Sequence, residues 1–144
     1  MNQPAGKPPY RYRVYWEDTD AGGVVYHARY LHFFERARSD WLLALGFPQV
    51  ALRRECNRLF AVSRMDTRFL SPARLEDELA VDVAVETLRA ASMHFRQTAH
   101  RAADGVLLAE ADVRVVCLSA DSFRPARAPG ELVAAIRNYL QEAS

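Results

Sequence analysis

The spacing of apolar positions changes twice along this chain, and each change marks a different element. Tyr10 to Trp16 alternates Tyr10, Tyr12, Val14 and Trp16 with Arg11 and Arg13, the period of a half-buried strand. From Ala28 to Leu45 the apolar residues Leu31, Phe34, Trp41, Leu42 and Leu45, with Tyr30 and Ala37, recur at three- and four-residue steps, which predicts one long helix. Gly46 and Pro48 end it, and a short helical turn follows. Its apolar stripe is too wide for a solvated surface helix, so it needs a sheet to lie against.

That sheet is expected from four downstream runs, Leu59 to Phe69, Glu78 to Leu88, Ser92 to Arg101 and Val106 to Leu118. In the second, Leu79, Val81, Val83 and Val85 alternate with Ala80, Asp82, Ala84 and Glu86, giving one apolar face. Ala103-Asp104-Gly105 and Leu88-Arg89-Ala90-Ala91 are short enough to join antiparallel neighbours, and parallel crossovers do not fit. A weak terminal helix is expected over Glu131 to Leu140. The pattern predicts an α+β fold in one domain, 1–144, with a flexible segment at 1–9 and a long helix against an antiparallel sheet. One sheet covers only one side of such a helix, so a second copy is expected on the remaining apolar edge.

Composition removes several classes of function. The 144 residues suit a single domain, and 19 basic against 18 acidic side chains give a net charge of +1, without the electrostatic pull of a nucleic-acid binder. Cys56 and Cys117 form no CxxC pair and are expected to be buried thiols in a reducing, cytoplasmic setting. No run is long enough to span a membrane, and Met1 to Pro9 lacks the apolar core of a signal peptide.

The candidate chemistry lies between the first strand and the long helix. Asp18-Thr19-Asp20-Ala21-Gly22-Gly23-Val24-Val25-Tyr26-His27 sets two carboxylates and a glycine pair where a helix begins and its first amides lack partners. A carboxylate facing free amides suits acyl transfer, because the amides and the helix dipole stabilise a developing oxyanion. A metal centre is not expected, since His27 and His32 are five residues apart and point away from each other on a helix. Asp18-Thr19-Asp20 also lacks the parallel sheet of a DxD phosphotransferase and the ligand spacing of an EF-hand.

Val14-Tyr15-Trp16-Glu17-Asp18-Thr19-Asp20-Ala21-Gly22-Gly23-Val24-Val25-Tyr26-His27, followed by Tyr30 and Phe33-Phe34-Glu35-Arg36-Ala37-Arg38, resembles the hotdog-fold acyl-CoA thioesterases, and most of all the YbgC type related to 4-hydroxybenzoyl-CoA thioesterase. Ser71-Pro72-Ala73-Arg74-Leu75 and Asp77 extend the match. The resemblance implies a long central helix wrapped by a five- or six-stranded antiparallel sheet, assembled as a homodimer or homotetramer, hydrolysing an acyl-CoA. It places the catalytic carboxylate at Asp20 and the oxyanion-binding amide at His27, with no cofactor. Asp18 is then a structural hydrogen-bonding neighbour, and Arg29 stands where these proteins carry a small or polar residue.

Around that centre Gly23 allows close approach of the substrate, while Tyr26, Phe60 and Val62 are candidates for an acyl pocket. Arg64 and Arg89, with Ser92, are candidates for the phosphates of CoA or of the phosphopantetheine of acyl carrier protein. Two other readings stay open. One is a hydroxyacyl dehydratase of the same fold that recruits Glu35, and the other a non-catalytic adaptor of a lipid-synthesis or envelope complex.

Overall fold

A computed structural model describes residues 6–143. Six strands and three helices lie among the described residues, in the order β1 (Tyr10–Arg13), α1 (Arg29–Ala44), α2 (Gln49–Cys56), β2 (Arg58–Phe69), β3 (Glu78–Val81), β4 (Ala84–Leu88), β5 (Ser92–Arg101), β6 (Leu107–Ser119) and α3 (Gly130–Ala143). The strands form one antiparallel sheet in the order β1-β3-β5-β6-β2, with β4 also paired to β5. The long helix lies on this sheet, as both the apolar pattern and the family resemblance led us to expect. Of the N-terminal segment expected to be flexible, residues 1–5 fall outside the described residues, and the Gly6 carbonyl accepts a hydrogen bond from the Tyr10 hydroxyl at 3.0 Å.

On α1, Tyr30, Phe33, Phe34, Ala37, Trp41 and Leu42 are buried, so the packed face is centred one residue away from the expected stripe: Phe33 is inside and Leu31 is on the surface. The rings of Trp41 and Phe95 meet edge to face at 5.5 Å between centroids, which ties the helix to β5. The terminal helix is longer than its sequence suggests, and it closes the core by burying Leu132 and Ile136 completely. Gln97, fully buried on β5, joins layers by donating to the Phe34 carbonyl at 3.0 Å and the Asp82 carbonyl at 3.3 Å, and accepting from Arg38 Nη1 at 2.8 Å.

Three expectations need correction. The run Glu78 to Leu88 is two strands, because side chains take the backbone groups at Asp82 and Val83: the Asp82 N–H still bonds the Thr98 carbonyl of β5 at 2.8 Å, but the Asp82 carboxylate accepts the Val83 N–H at 3.0 Å and the Asp82 carbonyl accepts Gln97 Nε2 at 3.3 Å. The first strand stops at Arg13. The Asp18 side chain accepts the Tyr15 N–H and curls Trp16–Asp18 into a 3₁₀ turn, leaving Trp16 81% exposed rather than half-buried. Cys117 is buried, and burial pushes its thiol pKa up, but Cys56 is exposed at the end of α2.

β2 is an edge. It pairs with β6 on one side, none of its twelve residues is buried, and Val62 and Phe69 stand about half exposed. A long edge strand with open backbone groups and apolar side chains is the kind of surface that soluble proteins cover.

Candidate active site

The loop from Val14 to Ala28 is held at both ends, so its middle is free to present side chains. Val14 N–H bonds the Asp77 carbonyl at 2.9 Å, and Val25 N–H bonds the Ala73 carbonyl at 2.8 Å. Between them Asp18 is 2% exposed and acts as the anchor. Its Oδ2 accepts the Tyr15 N–H at 2.9 Å, its Oδ1 accepts Arg29 Nε at 3.0 Å and lies 2.9 Å from Nη2, and its carbonyl accepts the Tyr26 N–H at 2.9 Å. Arg29, the departure from the family pattern, is thus the counter-ion that permits a buried carboxylate.

Asp20 belongs to a tight turn. Its N–H bonds the Val24 carbonyl at 2.9 Å, its carbonyl accepts the Gly23 N–H at 3.0 Å, and its Oδ1 accepts the Gly22 N–H at 2.8 Å. Gly23 has φ +78°, a conformation that costs an L side chain about 1–2 kcal/mol. At Gly22 an added Cβ would lie 3.2 Å from Asp20 Oδ1. The two glycines therefore serve different purposes: Gly23 makes the turn, and Gly22 leaves room for the carboxylate. Asp20 itself is exposed.

The tip of α1 is open. No side chain caps it at Ala28, and no acidic residue occupies its first turn. Arg29, Tyr30 and Leu31 direct their N–H groups to the carbonyls of Tyr26, His27 and Ala28, so the tightened first turn satisfies its own donors. The N–H groups of His27 and Ala28 have no acceptor among the described residues. Free amides at the positive end of a sixteen-residue helix attract a negative oxygen. The ring of His27 lies 4.5 Å from that of Tyr26, which is 45% exposed, and 5.9 Å from that of Phe69.

The remaining sequence-predicted residues fall in separate clefts of the subunit. Arg89 and Ser92 line one cleft, of about 200 Å³, and Arg64 lines another, of about 350 Å³; His94 and Arg114 form walls of both. Phe60 and Val62 line a cavity of about 120 Å³ under α1, with Glu35 and Arg38 at its polar end. Beside His27 is a fourth cleft, of about 290 Å³, walled by Val25, Tyr30, Phe69, Leu70, Ser71 and Pro72. The sequence reading missed His94, Arg114 and Phe69. His94 and Arg114 face each other across β5 and β6, a pairing that becomes visible only once the register of that hairpin is known.

Glu86, His94 and Asp112 bring possible metal-ligating atoms within 4.8 Å of one another. Asp112 already faces Arg96 at 3.5 Å, and in the cleft it lines Arg64 and Arg114 balance Asp66 and Asp112. No helix among the described residues is long and apolar enough to cross a membrane.

Residues 14–136 match the family model of the thioesterase-like superfamily. The chain is 42% identical over 126 residues to the acyl-CoA thioesterase YbgC of Haemophilus influenzae, covering 88% of this chain and 91% of that protein. Among solved structures it is similar to a probable thioesterase from Bartonella henselae, with TM-score 0.79 and 33% identity over 83% of this chain and 97% of that one. It is also similar to a 1,4-dihydroxy-2-naphthoyl-CoA thioesterase from Synechocystis, with TM-score 0.83 and 25% identity over 90% of this chain and 94% of that one.

Proposed function

The chain belongs to the thioesterase-like superfamily, among the YbgC acyl-CoA thioesterases, and on that premise we propose that it hydrolyses an acyl-CoA with Asp20 as base or nucleophile and the His27 amide as oxyanion donor. A thioester carbonyl is already electrophilic and its thiolate leaves readily, so the protein has two tasks: to place a nucleophile and to hold the negative oxygen. In the general-base route a water attacks the carbonyl carbon and Asp20 takes its proton. The C–S bond then breaks, and the departing CoA thiolate recovers that proton. In the covalent route Asp20 attacks directly, expels CoA thiolate and forms a mixed anhydride, which water hydrolyses to the acid. A placed base is worth about 10²–10⁴ in rate, and an amide aimed at the oxyanion about 10²–10³.

The observation that carries this reading is the open helix tip: two unpaired amides, no capping side chain and an exposed carboxylate on the anchored loop that leads into it. An aspartate retained only as a helix cap would bond those amides, whereas Asp20 bonds Gly22 in its own turn.

The CoA phosphates are assigned to the paired clefts of Arg89 with Ser92 and of Arg64, the same guanidinium chemistry serving an acyl carrier protein. Two copies pair along the open β2 edge into a homodimer, which can pair again into a tetramer. This places Phe60 and Val62 at the subunit boundary, and the enzyme works in the cytoplasm, where CoA esters are found.

A panel of acyl-CoAs read by thiol release tests the assignment. The unmodified protein is expected to release free CoA, and Asp20→Asn to keep its oligomer and melting temperature while losing about 10²–10⁴ in kcat. Full activity in that variant removes Asp20 from the chemistry. Absence of thiol release by the unmodified protein from every ester removes the hydrolase reading.

A further inference from the structure

We infer that the cleft between the α1 tip and the end of β2 receives the acyl group, and that Phe69 determines which acyl groups are accepted; the inference rests on the proposed hydrolysis. Of the four clefts described above, this one has His27 in its wall, so a carbonyl bound to the free amide there has its acyl carbons beside Tyr30, Phe69 and Leu70. No arginine, lysine or carboxylate lines it. Guanidiniums that suit phosphates line two of the other clefts, Arg89 and Arg114 in one with no carboxylate, and Arg64 and Arg114 in the other beside Asp66 and Asp112. The polar and apolar ends of an acyl-CoA therefore have different homes on this surface.

Phe69 is placed to select. It is the last residue of β2, paired with Ala109, and its position is fixed by the sheet rather than by a loop. Its ring stands 5.8 Å from that of Tyr30, itself buried, and edge-on to that of His27 at 5.9 Å. In the single subunit Phe69 is 49% exposed and Leu70 is similarly open, at the end of the β2 edge along which the second copy is proposed to pair, so the cleft lies beside that boundary. An aromatic face that two neighbours hold in the wall of an apolar cleft is suited to cover a ligand. The cleft, of about 290 Å³, is open to the surface, and its apolar lining suits a medium-length or ring-bearing acyl group. A chain ending in a carboxylate would lose its hydration there with no cation to replace it. The cavity under Phe60 and Val62 has a guanidinium and a carboxylate at one end and does not include His27.

The test compares esters on full-length protein. Phe69→Ala is expected to lower kcat/KM for hexanoyl-CoA and benzoyl-CoA by about tenfold or more, while acetyl-CoA, which reaches little of the ring, stays within about threefold. Phe69→Leu, which keeps apolar bulk, should hold hexanoyl-CoA within about threefold of the unmodified protein, and it serves if the alanine variant fails to fold. Phe69→Lys should raise the ratio of succinyl-CoA to butyryl-CoA hydrolysis by about tenfold, because the two chains match in length and differ in a carboxylate that the new ammonium can meet. Equal losses on all esters, acetyl-CoA included, or an unchanged succinyl to butyryl ratio in a folded lysine variant, would overturn the assignment. An unmodified protein inactive on every ester would overturn the hydrolysis on which it rests.

Discussion

Asp18 and Arg29 form an ion pair that spans the loop leading into α1, with Arg29 Nη2 2.9 Å from Asp18 Oδ1 and Asp18 only 2% exposed. The pair joins the residue that curls the strand end to the first residue of α1, so it fixes how far the turn of Asp20 stands from the helix tip. Glu17 adds a weaker, exposed contact to Arg29 at 3.6 Å.

Breaking this pair should cost stability first and rate second. Arg29→Ala leaves the Asp18 carboxylate buried without its cation, at about 2–3 kcal/mol, since water around the partly exposed arginine offsets part of the penalty of a wholly buried pair. Urea unfolding should show the midpoint fall, and thiol release should show a reduced kcat in the fraction that is still folded. Unchanged stability would mean that the Tyr15 N–H alone anchors Asp18.

Gly22→Ala separates crowding from turn strain. The new methyl would sit 3.2 Å from Asp20 Oδ1 and push the carboxylate from its place, so kcat should drop about tenfold or more while the melting temperature barely moves. Gly23→Ala meets no atom within 4 Å but forces alanine to φ +78°, and it should lower stability by about 1–2 kcal/mol. Steady-state kinetics beside thermal melts distinguish the two, and equal effects from both variants would contradict these separate roles.

Arg89 is expected to act on binding alone. Arg89→Ala should raise KM for a CoA ester by about tenfold at low salt, leave kcat unchanged, and have no effect on the matching pantetheine ester, which lacks the nucleotide phosphates. Raising the ionic strength should shrink the difference. A fall in kcat would place Arg89 closer to the reacting atoms than its cleft suggests.

Alkaline pH should loosen the contact between β1 and α1. Burial pushes Tyr10 up to about 12, and burial together with a hydrogen bond donated to Asp40 pushes Tyr12 up as well. Both are neutral in the fold and ionise near pH 10 when the chain unfolds, so their contribution is complete below about pH 10 and is lost as pH rises through the folded values. Urea midpoints should hold level from pH 8 to about 9.5 and then decline, and the double variant Tyr10→Phe, Tyr12→Phe should show a smaller decline. A flat profile to pH 12 in the unmodified protein would contradict this.

Local pattern was enough to read the long helix, the antiparallel strands and the acidic, glycine-bearing loop, because each depends on residues within a few positions of one another: the 3.6 period of α1, the alternation along β1 and through β3, and the turn chemistry of Asp20 to Gly23. It failed where a distant partner decides. Leu79 to Val85 alternates without interruption, yet the strand breaks after Asp82 because its own carboxylate takes the Val83 N–H and the buried Gln97 side chain of β5 takes its carbonyl. The phase of the buried α1 face, Phe33 in place of Leu31, was set by which sheet positions it met. Arg29 looked like a departure until folding brought it onto Asp18 eleven residues earlier. The cleft of Phe69 joins residues 25–30 to residues 69–72, about forty positions apart in the chain, so no local pattern could announce it. The sequence by itself determined the elements and the loop that carries the carboxylate, since those follow from short-range sterics and periodicity. Only the tertiary structure decided which surfaces surround that loop, because a cleft is a relation between segments that register and packing bring together.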